Sequence, residues 1–426
     1  MDKNRRSAFY TLMDTEKNLA YSNIALKHRI RRGKPDSPAF VREMTYGVLK
    51  NRLYLDYIIS NFVKTPLDKT ESNDLTLLRM GLYQLIFMNS VPDYAAINET
   101  VDLAKRFSPG REGFINGVLR QFQRDKEYVK LPDKELNQVD YLCKKYSYAS
   151  WIVELWLSSF GFEETEALLA AGNQTPEFSI RINRLRTGRE EAVHRLNSRG
   201  FNAKYSDRTS MGLLVEGSNL LSTRMYINGF FSVQDESSQI AADIADPQPG
   251  DTVIDVCAAP GGKTLAMAEK MGDVGKIHAW DLYKRKLSLI EHDAKRLGVS
   301  IVETHTWDAA RINTEMVGAA DVVFADVPCS GLGVVRRKPE IKYKEDITGL
   351  EELYNRQLEI LTASANYVKY GGAIVYATCT ISPHENQNII NTFLKKNKSF
   401  ERLDTVQLLP HIDHMDGFFI CKMRRR

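Results

Sequence analysis

Apolar residues in the first 125 positions recur at three- and four-residue spacing, the period of helices with one buried face. Phe40, Met44, Gly47 and Val48 form one stripe, and Leu75, Leu78, Leu82, Leu85 and Ile86 a second. Ile97, Val101 and Ala104 form a third. Asp36-Ser37-Pro38 offers a cap followed by proline at a first helical position. No strand-like alternation interrupts these stripes, so 1–125 is predicted to be an all-α bundle. Residues 126–170 continue as a helical bridging segment, with Tyr141, Tyr146, Trp151 and Trp156 as packing aromatics. After Pro176 the period changes. Strands are predicted over 178–183, 201–205 and 213–215, with a helix face at Ala192, Val193 and Leu196 between the first two. That β-α-β-β order suggests a small ferredoxin-like or RNA-recognition-like α+β module over 171–235.

From 236 to 426 short apolar strands alternate with helices, the pattern of a doubly wound, Rossmann-like α/β domain. Strands are predicted over 253–256, 276–280, 301–304, 322–325 and 373–377, each followed directly by a polar or reactive residue. Ligands of open α/β sheets sit outside the carboxyl ends of strands, so the chemistry is expected there. A last strand over 416–420 and a basic tail, Lys422-Met-Arg-Arg-Arg426, close the chain.

Composition narrows the class. The chain has 426 residues, 43% hydrophobic and 26% charged, an ordinary globular mixture that excludes wholesale disorder. Nothing approaches a membrane span. Five cysteines at 143, 257, 329, 379 and 421 form neither a disulfide framework nor a CxxC knuckle, which suggests a reducing cytoplasm. The eight histidines lack ligand spacing, so no metal is expected. Net charge is +4, but residues 1–130 carry 22 Lys+Arg against 15 Asp+Glu. A basic front third on a nearly neutral body suits a grip on a polyanion such as RNA. The run Arg336-Arg337-Lys338-Pro339 is a further candidate for RNA phosphates.

The strongest local signal is Val253-Ile-Asp-Val-Cys-Ala-Ala-Pro-Gly-Gly-Lys-Thr264, a strand entering a small-residue turn before a helix expected near Thr264. Such a turn admits a ligand close to the backbone, and helix-start N–H groups favour an anion. A Walker A loop would need glycine five positions before Gly262, where Cys257 stands, and GxGxxG is absent. The ligand is therefore anionic without a polyphosphate. Asp281 ends the next strand, placed for a ribose diol, and Asp308 follows the one after, placed for an adenine amino group. Together they imply a cofactor with ribose and adenine. Cys379 follows a strand and precedes Ser382-Pro383-His384-Glu385, which predicts a helix start whose dipole favours a thiolate. Cys143 and Cys421 lack such settings and are expected to be structural.

Three motifs carry a resemblance. Cys257-Ala258-Ala259-Pro260-Gly261-Gly262-Lys263, Asp326-Val-Pro-Cys-Ser-Gly331 and Tyr376-Ala-Thr-Cys-Thr380 resemble successive motifs of the RNA cytosine-C5 methyltransferases. Ala95-Ala-Ile-Asn-Glu99 and Phe114-Ile-Asn-Gly-Val-Leu-Arg120 resemble the RNA-binding helical domain of the NusB family, which narrows the match to the bacterial Sun/Fmu type. The resemblance implies a monomer that methylates small-subunit ribosomal RNA with S-adenosylmethionine. Cofactor binding would fall to Cys257, Ala258, Ala259, Pro260, Gly261, Gly262 and Lys263, with Asp281, Asp308 and Asp326. Cys379 would be the nucleophile, Asp326 a proton donor to cytosine N3, and Cys329 the group assisting release, as a base or by relieving crowding. Val327 departs from the family's usual alanine. A transfer-RNA methyltransferase of the same chemistry, or a non-catalytic NusB-like transcription factor, are the alternatives.

Overall fold

The helical stripes of the front segment close on one another. Met44 and Val48 of the helix Pro38–Lys50 and Leu78 and Leu82 of Ser72–Phe87 are buried in one apolar cluster, joined by Ile97 and Ala104 of Asp93–Phe107. Ser37 caps Pro38–Lys50 as its sequence requires, accepting from the Phe40 N–H at 3.2 Å. The computed structural model describes residues 2–18, 22–343 and 348–426. It divides into two compact units, Met1–Gln174 with Val335–Asp346, and Thr175–Val334 with Ile347–Arg426.

In the first unit, the basic residues from His28 to Arg32 lie within the helix Ser22–Gly33, and Arg29 pairs with Asp14 at 2.5 Å. The helices Gln138–Tyr146, Ser150–Phe160 and Phe162–Asn173 follow, with Trp156 buried against Tyr148. The segment Val335–Asp346 also belongs here. Its Lys342 is fully buried, and Nζ donates to Lys50 O at 2.7 Å, Tyr146 O at 2.9 Å and Asn173 Oδ1 at 2.6 Å. The basic run before it, the candidate for RNA phosphates, is largely drawn into the fold. Arg336 is buried and only Lys338 of its three cations is exposed.

The second unit holds two sheets. The small one contains β1 (Ser179–Ile182), β2 (Asn202–Tyr205), β3 (Gly212–Glu216) and β4 (Phe231–Val233) in the antiparallel order β2-β3-β1-β4. The helix Arg189–Asn197 buries Ala192 and Leu196 among Ile180, Ile182 and Leu213. This is the expected ferredoxin-like module with one strand, β4, added.

The large sheet contains β5 (Thr252–Asp255), β6 (Lys276–Asp281), β7 (Val302–Thr306), β8 (Ala320–Asp326), β9 (Val368–Thr378), β10 (Phe400–Leu408) and β11 (Phe418–Arg425). Its order is β10-β11-β9-β8-β5-β6-β7. The five strands β5 to β9 run parallel, and β11 and β10 add antiparallel. Helices cover both faces, giving two apolar clusters, one around Trp280, Ile360 and Phe393 and one around Leu265, Met267 and Phe418. The basic tail expected at the C-terminus is in fact strand. β11 runs to Arg425, Lys422 Nζ donates to Ile244 O and Ala245 O, and Arg424 pairs with Glu401.

Candidate active site

The parallel strand ends bring the reactive groups together. Beyond β5 the chain turns through Cys257, Ala258, Ala259 and Pro260 and enters the helix Gly262–Lys270, which starts two residues before the expected Thr264. Gly261 has φ of 105°, a left-handed conformation that glycine accepts without strain. A Cβ there would also stand 3.0 Å from Ile290. Ala258 N–H donates to Trp280 O at 2.8 Å, which ties the turn to the end of β6.

A cavity of about 240 Å³ opens at this turn. It is lined by Cys257, Ala258, Ala259, Pro260, Gly262 and Lys263 of the turn and by Asp326 of β8. Val233, Gln234, Asp235, Ser238 and Asp255 complete it, and sequence reasoning missed all five. Their signals were faint: an acid inside an apolar strand, and a Gln-Asp pair at the cap of Glu236–Ala245, where Asp235 accepts from Ser237 N–H. Asp255 is buried, and burial pushes its carboxyl up to about 7 against the hydrogen bond from Thr264 Oγ1 at 2.7 Å. Asp255 Oδ1 and Gln234 Nε2 are buried without a hydrogen-bond partner among the described residues. Arg181 fixes the Gln234 amide by donating to its Oε1, so Nε2 remains the donor. Two residues of the cavity lining thus keep one unpartnered acceptor and one unpartnered donor, which fits an amino acid's ammonium and carboxylate.

The predicted acids fall at three strand ends. Asp281 is 8% exposed at the end of β6, with Oδ1 accepting from Tyr283 N–H at 3.0 Å. Asp308, after β7, is already engaged: it pairs with Arg356 and accepts from Ala310 N–H at 3.1 Å. Asp326, at the end of β8, accepts from Lys263 Nζ at 2.6 Å. Burial works against the Lys263 ammonium, but the adjacent Asp326 carboxylate outweighs it and raises its pKa. Neither Asp281 nor Asp308 lines the cavity, whereas Asp326 and Lys263 do.

Cys329 and Cys379 meet, with their sulfurs 3.3 Å apart. That is a hydrogen-bond distance, well beyond the roughly 2.05 Å of a disulfide. The Cys329 thiol is pushed far above its ordinary value, first by its hydrogen bond with Cys379, then by burial and by the charges of Cys379, Glu385 and Asp326. Cys329 therefore keeps its proton beside Cys379, and the Lys263 ammonium is close enough to Cys379 to interact with it. Cys257 is also pushed well above its usual value by burial and stays a thiol. The expected source of activation is wrong, however. The helix after Cys379 begins only at Gln387, and residues 383–386 form turns, so the helix start expected at Ser382-Pro383 does not form there. Glu385 does not cap it. Its buried carboxylate instead accepts from the Ser330 N–H at 2.8 Å.

Val327 is 3% exposed in the apolar cluster, and its N–H donates to Ala377 O at 3.0 Å, so the departure from alanine leaves the backbone anchored. Cys143 and Cys421 are buried, and burial raises both thiols. Sheet register gathers one donor trio that histidine spacing cannot show. His278 of β6 pairs with Glu303 of β7, and His305 lies two residues on, so their ligand atoms fall within 4.8 Å. Lys276 already holds Glu303 at 2.9 Å, and none of the three lines the cavity. No described helix is long and apolar enough to cross a membrane.

Comparison with known proteins agrees with this layout. Residues 242–424 match the family model of 16S rRNA methyltransferase RsmB/F, residues 2–124 the NusB family, and residues 148–220 the ferredoxin-like domain of RsmF/B-like methyltransferases. The probable ribosomal RNA small subunit methyltransferase B of Bacillus subtilis is 35% identical over 443 residues, covering 99% of this chain and 98% of that protein. The ribosomal RNA small subunit methyltransferase B of Klebsiella pneumoniae is 32% identical, covering 91% and 90%. Among solved structures, that of PH0851 superposes with a TM-score of 0.85 at 26% identity, covering 99% of this chain and 98% of the other. A methyltransferase homolog from Pyrococcus horikoshii does so with 0.62 at 25% identity, over 68% of this chain and 99% of its own.

Proposed function

Because the chain belongs to the RsmB/F family of ribosomal RNA small subunit methyltransferases, we propose that it methylates C5 of a cytosine in small-subunit ribosomal RNA. S-adenosylmethionine is the donor and a bond between Cys379 and C6 the intermediate. The observation that carries this reading is the thiol pair at 3.3 Å, on strand ends shared with the Lys263–Asp326 ion pair. The names of its full-length relatives favour ribosomal over transfer RNA.

When bound, S-adenosylmethionine supplies an electrophilic methyl group on a sulfonium. Gln234 Nε2 would donate to its carboxylate and Asp255 Oδ1 would accept from its ammonium. Asp281 would accept from the ribose diol, and Asp308, paired with Arg356, would serve the adenine. The Gly261-Gly262 turn lets the backbone approach. The Cys379 thiolate adds to cytosine C6, which breaks the aromaticity of the ring and makes C5 enamine-like. Charge develops at N3, where a proton relayed from the Lys263 ammonium through Asp326 is donated, and N3 returns it by the same route once C5 carries the methyl group. Once Cys379 is bonded to carbon it no longer holds negative charge against Cys329, and the largest cause of that thiol's raised pKa is gone. Cys329 loses its proton to solvent and removes the C5 proton, the C5–C6 double bond re-forms, and Cys379 leaves as thiolate.

Bisulfite sequencing of total RNA from cells with and without the gene tests the reading. A protected cytosine in small-subunit ribosomal RNA should become convertible when the gene is deleted, and an unchanged pattern would refute the assignment. Asp281→Ala should weaken S-adenosylmethionine binding by about 1.5–3 kcal/mol, the cost of losing hydrogen bonds to a charged acceptor. Calorimetric titration checks this, and an unchanged dissociation constant removes Asp281 from the cofactor site.

A further inference from the structure

We propose that Glu385 is the positioning residue of the two-thiol site, holding the loops that carry Cys329 and Cys379 in a single register. The inference rests on the covalent reading above and assigns it a residue that the sequence offered only as part of a helix-start pattern. Glu385 is fully buried, and both carboxylate oxygens are engaged. Oε1 accepts from Ser330 N–H at 2.8 Å and from Gln357 Nε2 at 3.0 Å. Oε2 accepts from Ser330 Oγ at 2.5 Å and from Thr380 Oγ1 at 3.2 Å.

Ser330 and Thr380 directly follow the two cysteines, and their hydroxyl oxygens lie 2.9 Å apart. One carboxylate thus binds the residue after each sulfur. Gln357 extends the clamp by donating to Pro328 O at 3.0 Å, on the other side of Cys329. A buried carboxylate is tolerated only when hydrogen bonds replace its water, and here both cysteine loops supply them. Moving either loop would strip donors from the charge. The register of the sulfurs is therefore coupled to the satisfaction of a buried anion.

The same charge acts on the thiols. Glu385, Asp326 and Cys379 are the anionic groups around Cys329. Lys263 is the cation felt beside Cys379, and Tyr376, whose hydroxyl donates to Glu385 O at 2.7 Å, stays neutral.

The test compares Glu385→Ala, which removes the clamp, with Glu385→Gln, which keeps its shape and most of its hydrogen bonds but not its charge. With full-length protein, labelled cofactor and substrate RNA, Glu385→Ala should lower kcat by about 100-fold, the usual result of misplacing reacting groups by an ångström. Glu385→Gln should restore most of that rate. It should also move the acid limb of the kcat–pH profile to lower pH, because a lost negative charge makes the thiol pair easier to ionise. Cofactor affinity, read by calorimetry, should be unchanged in both. If Glu385→Ala does not fold, Ser330→Ala removes a single clamp hydroxyl and should still slow kcat with cofactor affinity intact. Wild-type turnover by variants at Glu385 and Ser330, or equal loss of cofactor binding and turnover, would overturn the proposal. A wild-type enzyme that never forms an RNA adduct would instead overturn the covalent reading on which it rests.

Discussion

Cys379→Ala should transfer no measurable methyl group to RNA while binding S-adenosylmethionine as the wild type does. The C5 position of an intact cytosine ring is too weak a nucleophile to attack a sulfonium, so removing the sulfur that adds to C6 removes the reaction itself. No other thiol replaces it. Burial keeps Cys257 protonated, and Cys329 is the group assigned to the C5 proton, not to C6. The cavity wall contains Lys263, Asp326, Asp255 and Gln234 but not Cys379, so cofactor affinity should survive. Filter binding of labelled methyl groups on RNA, beside calorimetry with the cofactor, separates the two effects. Residual turnover above about one thousandth of wild type, the scale of a typical general acid–base contribution, would show that another group attacks.

Gly333→Ala should be nearly as damaging, although residue 333 makes no contact with substrate in this account. A Cβ on Gly333 would lie 2.0 Å from Gly417 O and 2.9 Å from Cys379 O. Both neighbours are backbone, so neither can swing aside. The close approach is also bonded: Gly333 N–H donates to Cys379 O at 3.0 Å, and Gly417 N–H donates to Gly333 O at 2.8 Å. Relief of the clash must move the strand end that carries Cys379. Overpacking of this kind costs about 1–3 kcal/mol of stability, and a displacement near one ångström at reacting groups costs about 100-fold in rate. Thermal unfolding and single-turnover methyl transfer measure the two. A variant with wild-type turnover would show that the Cys379 loop is not held by this contact.

Much of the layout was legible in the sequence because it rests on periodicity and on strand ends. The parallel strands β5 to β8 fell within two or three residues of their expected bounds, since each is an apolar run bounded by polar residues. Two strands escaped. β4 has three residues, too few to show alternation. β10 shifts register between Arg402 and Asp404, and that irregularity breaks the two-residue pattern of its burial. The C-terminal cations hid a strand because β11 spends them on specific partners such as Glu401 and Ile244 O.

The cysteines, Lys263 and Asp326 were visible as residues, whereas their electrostatics were not. The helix start expected beside Cys379 lies at Gln387, and the groups near its sulfur are the Cys329 thiol and the Lys263 ammonium in the first turn of Gly262–Lys270. Glu385 looked like a capping residue because Ser-Pro-x-Glu is a helix-start pattern, yet its carboxylate turns inward to Ser330 and Thr380. Gln234 carries no local motif, and Asp255 lies in the strand before the glycine turn, where the sequence marks it only as an acid in an apolar run. Their role emerges only where Arg181, Thr264 and the cavity leave one polar atom on each without a partner.

The central claim is that Cys379 forms the bond to RNA and Cys329 acts afterwards to release it, and denaturing electrophoresis of the cysteine variants tests it most directly. With substrate RNA and S-adenosylmethionine, Cys329→Ala should attack and methylate, then stall, and migrate as a slow band that RNase removes. Cys379→Ala and the double variant should show no such band, because trapping requires the nucleophile. A slow band from Cys379→Ala with none from Cys329→Ala would contradict the account by reversing the two roles, and no band from either would refute the covalent step.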